Sequence, residues 1–241
     1  MRLFFSLLRI RGLVDMMRLP WRSPLTPLFS SHVLLEPFLL TTSSIFRCVR
    51  PAQRLGCWLS LYALADIPFS VETIEDDDEQ EFWEIAIAQL QKLHLIQWQA
   101  KGIYRLHPLI RQFFQMKLDE LSDADKVKTA FVAQMAEVAK QIPQQPNRED
   151  IFNLTPHIPH LAEVATHLSQ YLSDEDLIGP FTGLGWFYQG QGLYQQAEPW
   201  VQQCVKIAEN RLSLEHLNIA ASLNNRPLAK VEHPPENKFS G

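Results

Sequence analysis

His160, Glu163 and His167 fall at i, i+3 and i+7, a spacing that puts three side chains on one helical face. Imidazole and carboxylate groups together are ligands that zinc accepts. The rest of a metal centre is missing from the pattern. There is no H-E-x-x-H and no cysteine nearby, and ligand identity alone is weak ground for a site. The expectation is therefore a solvated helix face and no metal. Cys48, Cys57 and Cys204 show neither C-x-x-C nor zinc spacing, which reads as reduced thiols in a cytoplasmic protein. No Ser-His-Asp order or defined pair of carboxylates stands out, so no enzyme is expected and no catalytic residue is assigned.

The bulk composition points the same way. Of 241 residues, 46% are apolar, enough to build a core, and a net charge of −5 argues against a general binder of nucleic acid or membrane surfaces. No apolar run reaches the roughly 18 residues of a membrane span. Leu3 to Leu8 is followed by Arg9 and Arg11, shorter than a secretory apolar region of about 7–15 residues. Residues 1–44, rich in arginine and broken by four prolines, read as a poorly structured lead-in.

Order is expected from residues 45–120. Leu55, Trp58, Leu59 and Tyr62 make one helical face that should end at Asp66-Ile67-Pro68. Ser70 should cap a short second helix through Thr73 and Ile74. A third, starting at Asp78 or Glu79, should bury Trp83, Ala86, Ile87 and Leu90. A two-stranded hairpin follows, 95–98 and 103–106, turning at Gln99 to Gly102. His107-Pro108 opens a helix whose Leu109, Ile110, Phe113, Phe114 and Leu118 should pack inward.

Three helices, a hairpin and a closing helix are the order of a winged helix. In a DNA-binding winged helix the third helix enters the major groove and needs lysine and arginine. Here it carries Glu79, Glu81 and Glu84, with Lys92 at its far end. A winged helix that packs on other domains is the expectation, and a DNA-binding transcriptional regulator is the alternative.

Residues 121–176 read as a helical linker. Ser122 to Asp125 resembles a capping box, and Val127, Phe131, Met135, Val138 and Ile142 keep a helical period up to Pro143. Residues 144–147 read as a polar loop, 151–154 as a short helical turn, and 159–172 as one helix.

In residues 177–217, Phe181, Leu184, Gly185 and Tyr188, then Ala197, Val201 and Cys204, follow W-x2-L-G-x2-Y and A-x3-F, with Phe for Trp and Val for Phe. This is the tetratricopeptide pattern. Small Gly185 and Ala197 let helices 180–189 and 194–212 approach closely, and Pro199 sits in the first turns of the second. Such a unit is a binding scaffold, and Trp186, Tyr188, Gln189, Gln191 and Gln195 are its expected exposed contacts to a protein partner. Residues 218–241 begin a second repeat that fails at Arg226-Pro227 and ends in a disordered tail, so the single unit should pack on the 159–172 helix.

Residues 55–65, Tyr104 to Phe114 and Tyr194 to Pro199 together resemble a known family. It is that of the bacterial signal-transduction NTPases (STAND-type) in which an NB-ARC domain precedes kinesin-light-chain-like repeats. The resemblance implies a mainly α fragment: winged helix, helical linker and first repeat. It also implies that a P-loop domain binds ADP or ATP and that the repeats sense or recruit a partner. His107 stands where relatives carry a His that contacts the nucleotide phosphate, although Pro108 replaces the acid that follows it there. The P-loop pattern G-x4-G-K-[ST] is absent from this chain, so no cofactor is expected unless that domain is supplied separately. Both ends read as junctions in an interrupted longer gene.

Overall fold

The computed structural model of the chain describes residues 50–69 and 77–211. The expectations for residues 1–44, for the Ser70-capped helix and for the failed repeat of 218–241 lie outside the described residues. What is described is mainly helical, with one small three-stranded antiparallel sheet.

Helix α1 (Arg50–Leu59) buries Leu55, Trp58 and Leu59 as its period predicts. It ends earlier than expected. Leu61 N–H donates to Trp58 O and Tyr62 N–H to Leu59 O, so the chain tightens into i→i+3 turns before Asp66 is reached. Tyr62 is buried all the same, with its ring edge-on to Phe131 at 4.9 Å. Ile67–Pro68, expected to act only as a stop, is strand β1. It pairs with β3 (Ile103–Leu106), Ile67 opposite Tyr104, and β3 pairs in turn with β2 (Ile96–Ala100). Proline is tolerated because β1 is an edge strand, where a missing N–H interrupts no ladder. The expected hairpin is therefore one part of a sheet ordered β1-β3-β2. Its turn is Lys101-Gly102, with Gly102 at φ 69°, and a bulge lies between Trp98 and Ala100.

Helix α2 (Asp77–Lys92) buries Trp83, Ala86, Ile87 and Leu90. Helix α3 (Pro108–Asp119) buries Ile110, Phe114 and Leu118. Leu109 was expected inward but is 53% exposed, because it lies one residue off the i, i+4, i+8 stripe that those three form. Helices α1 and α3 meet at Gly56, where any Cβ would overlap the Phe114 ring.

Helix α4 (Ala124–Lys140) runs through the core on Val127, Phe131, Val132, Met135 and Ala139. The capping box expected at its start is not formed. Asp123 is the N-cap, but its carboxylate makes no cap hydrogen bond and meets buried Arg54 at 2.7 Å. A cap is worth about 1 kcal/mol, whereas an unpaired buried guanidinium costs several, so the ion pair wins. The capping box that does form opens α5 (Arg148–Leu154). Asn147 accepts from the Glu149 and Asp150 N–H groups, and Asp150 accepts from the Asn147 N–H.

The expected 159–172 helix is a helical path of changing pitch. A 3₁₀ turn (Thr155–His157) leads into α6 (Ile158–Glu163), then a π-turn (Val164–Leu168) and a second 3₁₀ turn (Ser169–Tyr171). Leu161, Val164, Ala165 and Leu172 still reach the core.

Helices α7 (Gly179–Gly190) and α8 (Tyr194–Arg211) form a packed pair. A Cβ on Gly185 would sit 3.2 Å from Val201 Cγ2, and Ala197 is fully buried, so small residues do set the close approach. The pair rests on α4 as well as on the 155–171 path. A Cβ on Gly183 would lie 2.9 Å from Ile142 Cδ1, so a side chain there would push the end of Ile142 aside. Pro199 is the sixth residue of α8, in its second turn and exposed, so the bond its missing N–H would make to the Gln195 carbonyl is absent.

Candidate functional site

The five expected contact residues divide between two places on the α7–α8 pair. Trp186 and Gln189 are one helical turn apart on α7, so they share a face. Both are half-buried rather than exposed, because α7 is covered on most sides by α4, the 155–171 path and α8. Trp186 Nε1 and Gln189 Oε1 are both buried without a hydrogen-bond partner. Tyr188 is half-buried too, edge-on to Phe187 at 5.5 Å, and burial pushes its phenol up.

Gln191 and Gln195 are exposed and flank the turn between the helices. That turn is built as a helix stop. Gly192 sits at φ 74°, its N–H donates to Gln189 O at 2.9 Å, and Leu193 N–H donates to Tyr188 O at 2.9 Å. Gln191 Nε2 donates to Phe187 O at 3.1 Å, closing another end carbonyl of α7. The same geometry lifts Leu193 and Tyr194 out of the seam, 40% and 38% exposed. Sequence reasoning missed these two. The signal was available: they follow the left-handed glycine that ends α7 and precede the buried Ala197 that begins the seam.

The histidine–carboxylate group is a structural junction. His160 was expected on a solvated face but is fully buried. Its Nδ1 accepts from Ala63 N–H at 3.2 Å, and its Nε2 lies 2.9 Å from Asp66 O. Burial, with Arg111 and His157 adding positive potential, lowers its pKa to about 4 although the bond to Asp66 O opposes the shift. Glu163 Oε1 takes Arg111 Nη2 at 2.6 Å, and Arg111 Nε donates to Tyr62 O at 2.8 Å. His167 is exposed. The three groups therefore do not converge, and among the described residues no three His, Cys, Asp or Glu side chains are placed to hold a metal.

His107 is exposed at the head of α3, where its Nδ1 accepts from Leu109 N–H at 3.3 Å and caps the helix. Cys57 and Cys204 are buried free thiols, and burial pushes each up to about 12, so neither is an activated nucleophile. No helix among the described residues is long and apolar enough to cross a membrane. Comparison with known proteins finds no family model, no curated protein and no solved structure that matches the chain.

Proposed function

We propose that the chain is a non-catalytic protein–protein interaction module of the cytoplasm. In this reading residues 45–120 are a winged helix that packs on other domains and 177–217 a tetratricopeptide unit. The whole belongs to the sensor part of an NB-ARC-type signalling protein. The observation that carries the reading is the α7–α8 pair. Gly185 and Ala197 seat two helices tightly, and their connecting turn presents Gln191, Leu193, Tyr194 and Gln195 to solvent. Exposed aromatic and amide groups clustered at a helix turn suit recognition of a protein surface. The exposed Glu81 and Glu84 on α2 favour this over the DNA-binding alternative, since phosphate contacts need cations on that helix. A role for His107 at a nucleotide phosphate needs a P-loop domain, whose G-x4-G-K-[ST] pattern residues 1–241 do not contain.

Proximity labelling from the full chain, followed by calorimetry with each purified candidate, tests the reading. A partner whose affinity drops at least tenfold with Tyr194→Ala plus Gln195→Ala supports it. Equal affinity of parent and variant for every candidate, or tight salt-sensitive DNA binding in a gel shift, overturns it.

A further inference from the structure

We propose that His160 is an acid-sensitive latch, its neutral ring holding the linker helix α6 to the loop of residues 63–66 and its protonation releasing that hold. The geometry allows only one protonation state. Asp66 O can only accept, so Nε2 carries the ring proton, and Ala63 N–H can only donate, so Nδ1 carries none. An imidazolium would set a second N–H against the Ala63 N–H, two donors 3.2 Å apart at the edge of a ring that is itself buried. One bond would be lost and the new Nδ1–H left without an acceptor, while Nε2–H keeps only the Asp66 carbonyl.

The surroundings do not rescue that charge. From α3 the Arg111 guanidinium, and from its own segment the half-buried His157, both oppose a further positive charge on the ring. Two carboxylates are near, but each is already engaged. Asp66 is held by Arg105 Nη2 at 2.6 Å, and Glu163 by Arg111 Nη2 at 2.6 Å. From the loop side the Tyr62 ring packs at 4.9 Å, at 82° to the imidazole.

The sign of the effect follows from linkage. Closed, the imidazole titrates at about 4. Released into water it would titrate near 6.5. The hold is complete above the released value and weakens by up to about tenfold per pH unit as pH falls from 6.5 towards 4. Between pH 7 and pH 5 the open fraction rises roughly twentyfold.

Ala63 N–H reports this directly, because its hydrogen bond is to the His160 ring. Hydrogen exchange of the full chain by NMR, corrected for intrinsic exchange, should show opening at Ala63 rising about twentyfold from pH 7 to 5, while Phe131 in α4 changes little. His160→Gln, which cannot titrate, should flatten the Ala63 response. In the unaltered chain the His160 ring nitrogens should keep the shifts of the neutral Nε2–H form at pH 5.5. A flat Ala63 profile, an equal rise at Phe131, an unchanged slope in His160→Gln, or a ring titrating near 6.5 with Ala63 still protected would each overturn the proposal.

Discussion

Arg54 Nη1 and Asp123 Oδ2 meet at 2.7 Å with 5% and 8% of their side chains exposed, joining α1 to the start of α4. Charges this deep are costly to bury, and removing Asp123 takes away the opposite charge that compensates Arg54. Asp123→Ala is expected to destabilise the fold by about 3–5 kcal/mol. Arg54→Met with Asp123→Ala should recover most of that loss, since an apolar replacement of the pair leaves no charge to be compensated in the core. Urea unfolding of the two single variants and the double variant gives the coupling directly; additive losses would mean that the pair does not act as a unit.

Gly56 faces the Phe114 ring so closely that a methyl group there would overlap it. The neighbour is an aromatic ring at 1% exposure, held by the core, and cannot swing aside. Gly56→Ala should therefore cost about 1–3 kcal/mol through overpacking, although alanine is the better helix former by about 1 kcal/mol. A thermal melt that rises in this variant would show that the helix propensity dominates.

Much of this was legible in the sequence and some was not, for identifiable reasons. The helical periods of Leu55-Trp58-Leu59, Trp83-Ala86-Ile87-Leu90 and Val127-Phe131-Met135 needed only spacing, because one buried face fixes each helix. Gly185 and Ala197 were readable as a close approach from their size alone. Ile67-Pro68 was misread because a local stop signal says nothing about a strand 35 residues away that can pair with it. Asp123 was misread because its partner Arg54 is distant in sequence, and a buried charge outranks a local cap. His160 was misread because polarity suggested solvent, while both its partners, Ala63 and Asp66, come from the first third of the chain.

The end of α2 offers a position that can be improved. His94 adopts φ 55°, with Leu95 N–H donating to Leu90 O and His94 N–H to Gln91 O, a left-handed helix stop that usually carries glycine. A side chain in that conformation costs roughly 1 kcal/mol. His94→Gly is expected to raise stability by about 0.5–1 kcal/mol, less the greater freedom glycine has in the unfolded chain. Unchanged or lower stability would mean that the exposed imidazole makes up the strain by a contact of its own.

The buried Oε1 of Gln189 has no donor, and Trp186 Nε1 one turn away has no acceptor. A buried polar atom left unpaired costs about 1–3 kcal/mol, more than it returns to the isolated fold. Gln189→Met keeps the length of the side chain and removes the unpaired atom, so it should stabilise the free chain by about 1 kcal/mol. If the α7 face docks a protein that supplies the missing donor, the same substitution should weaken that complex by about tenfold, one hydrogen bond's worth of affinity. Unfolding curves and calorimetry on the same preparations separate the two effects. Stabilisation with unchanged affinity would assign the recognition to the turn at Gln191 to Gln195 alone. Loss of stability would mean that the Gln189 amide is satisfied by ordered water and belongs to the core.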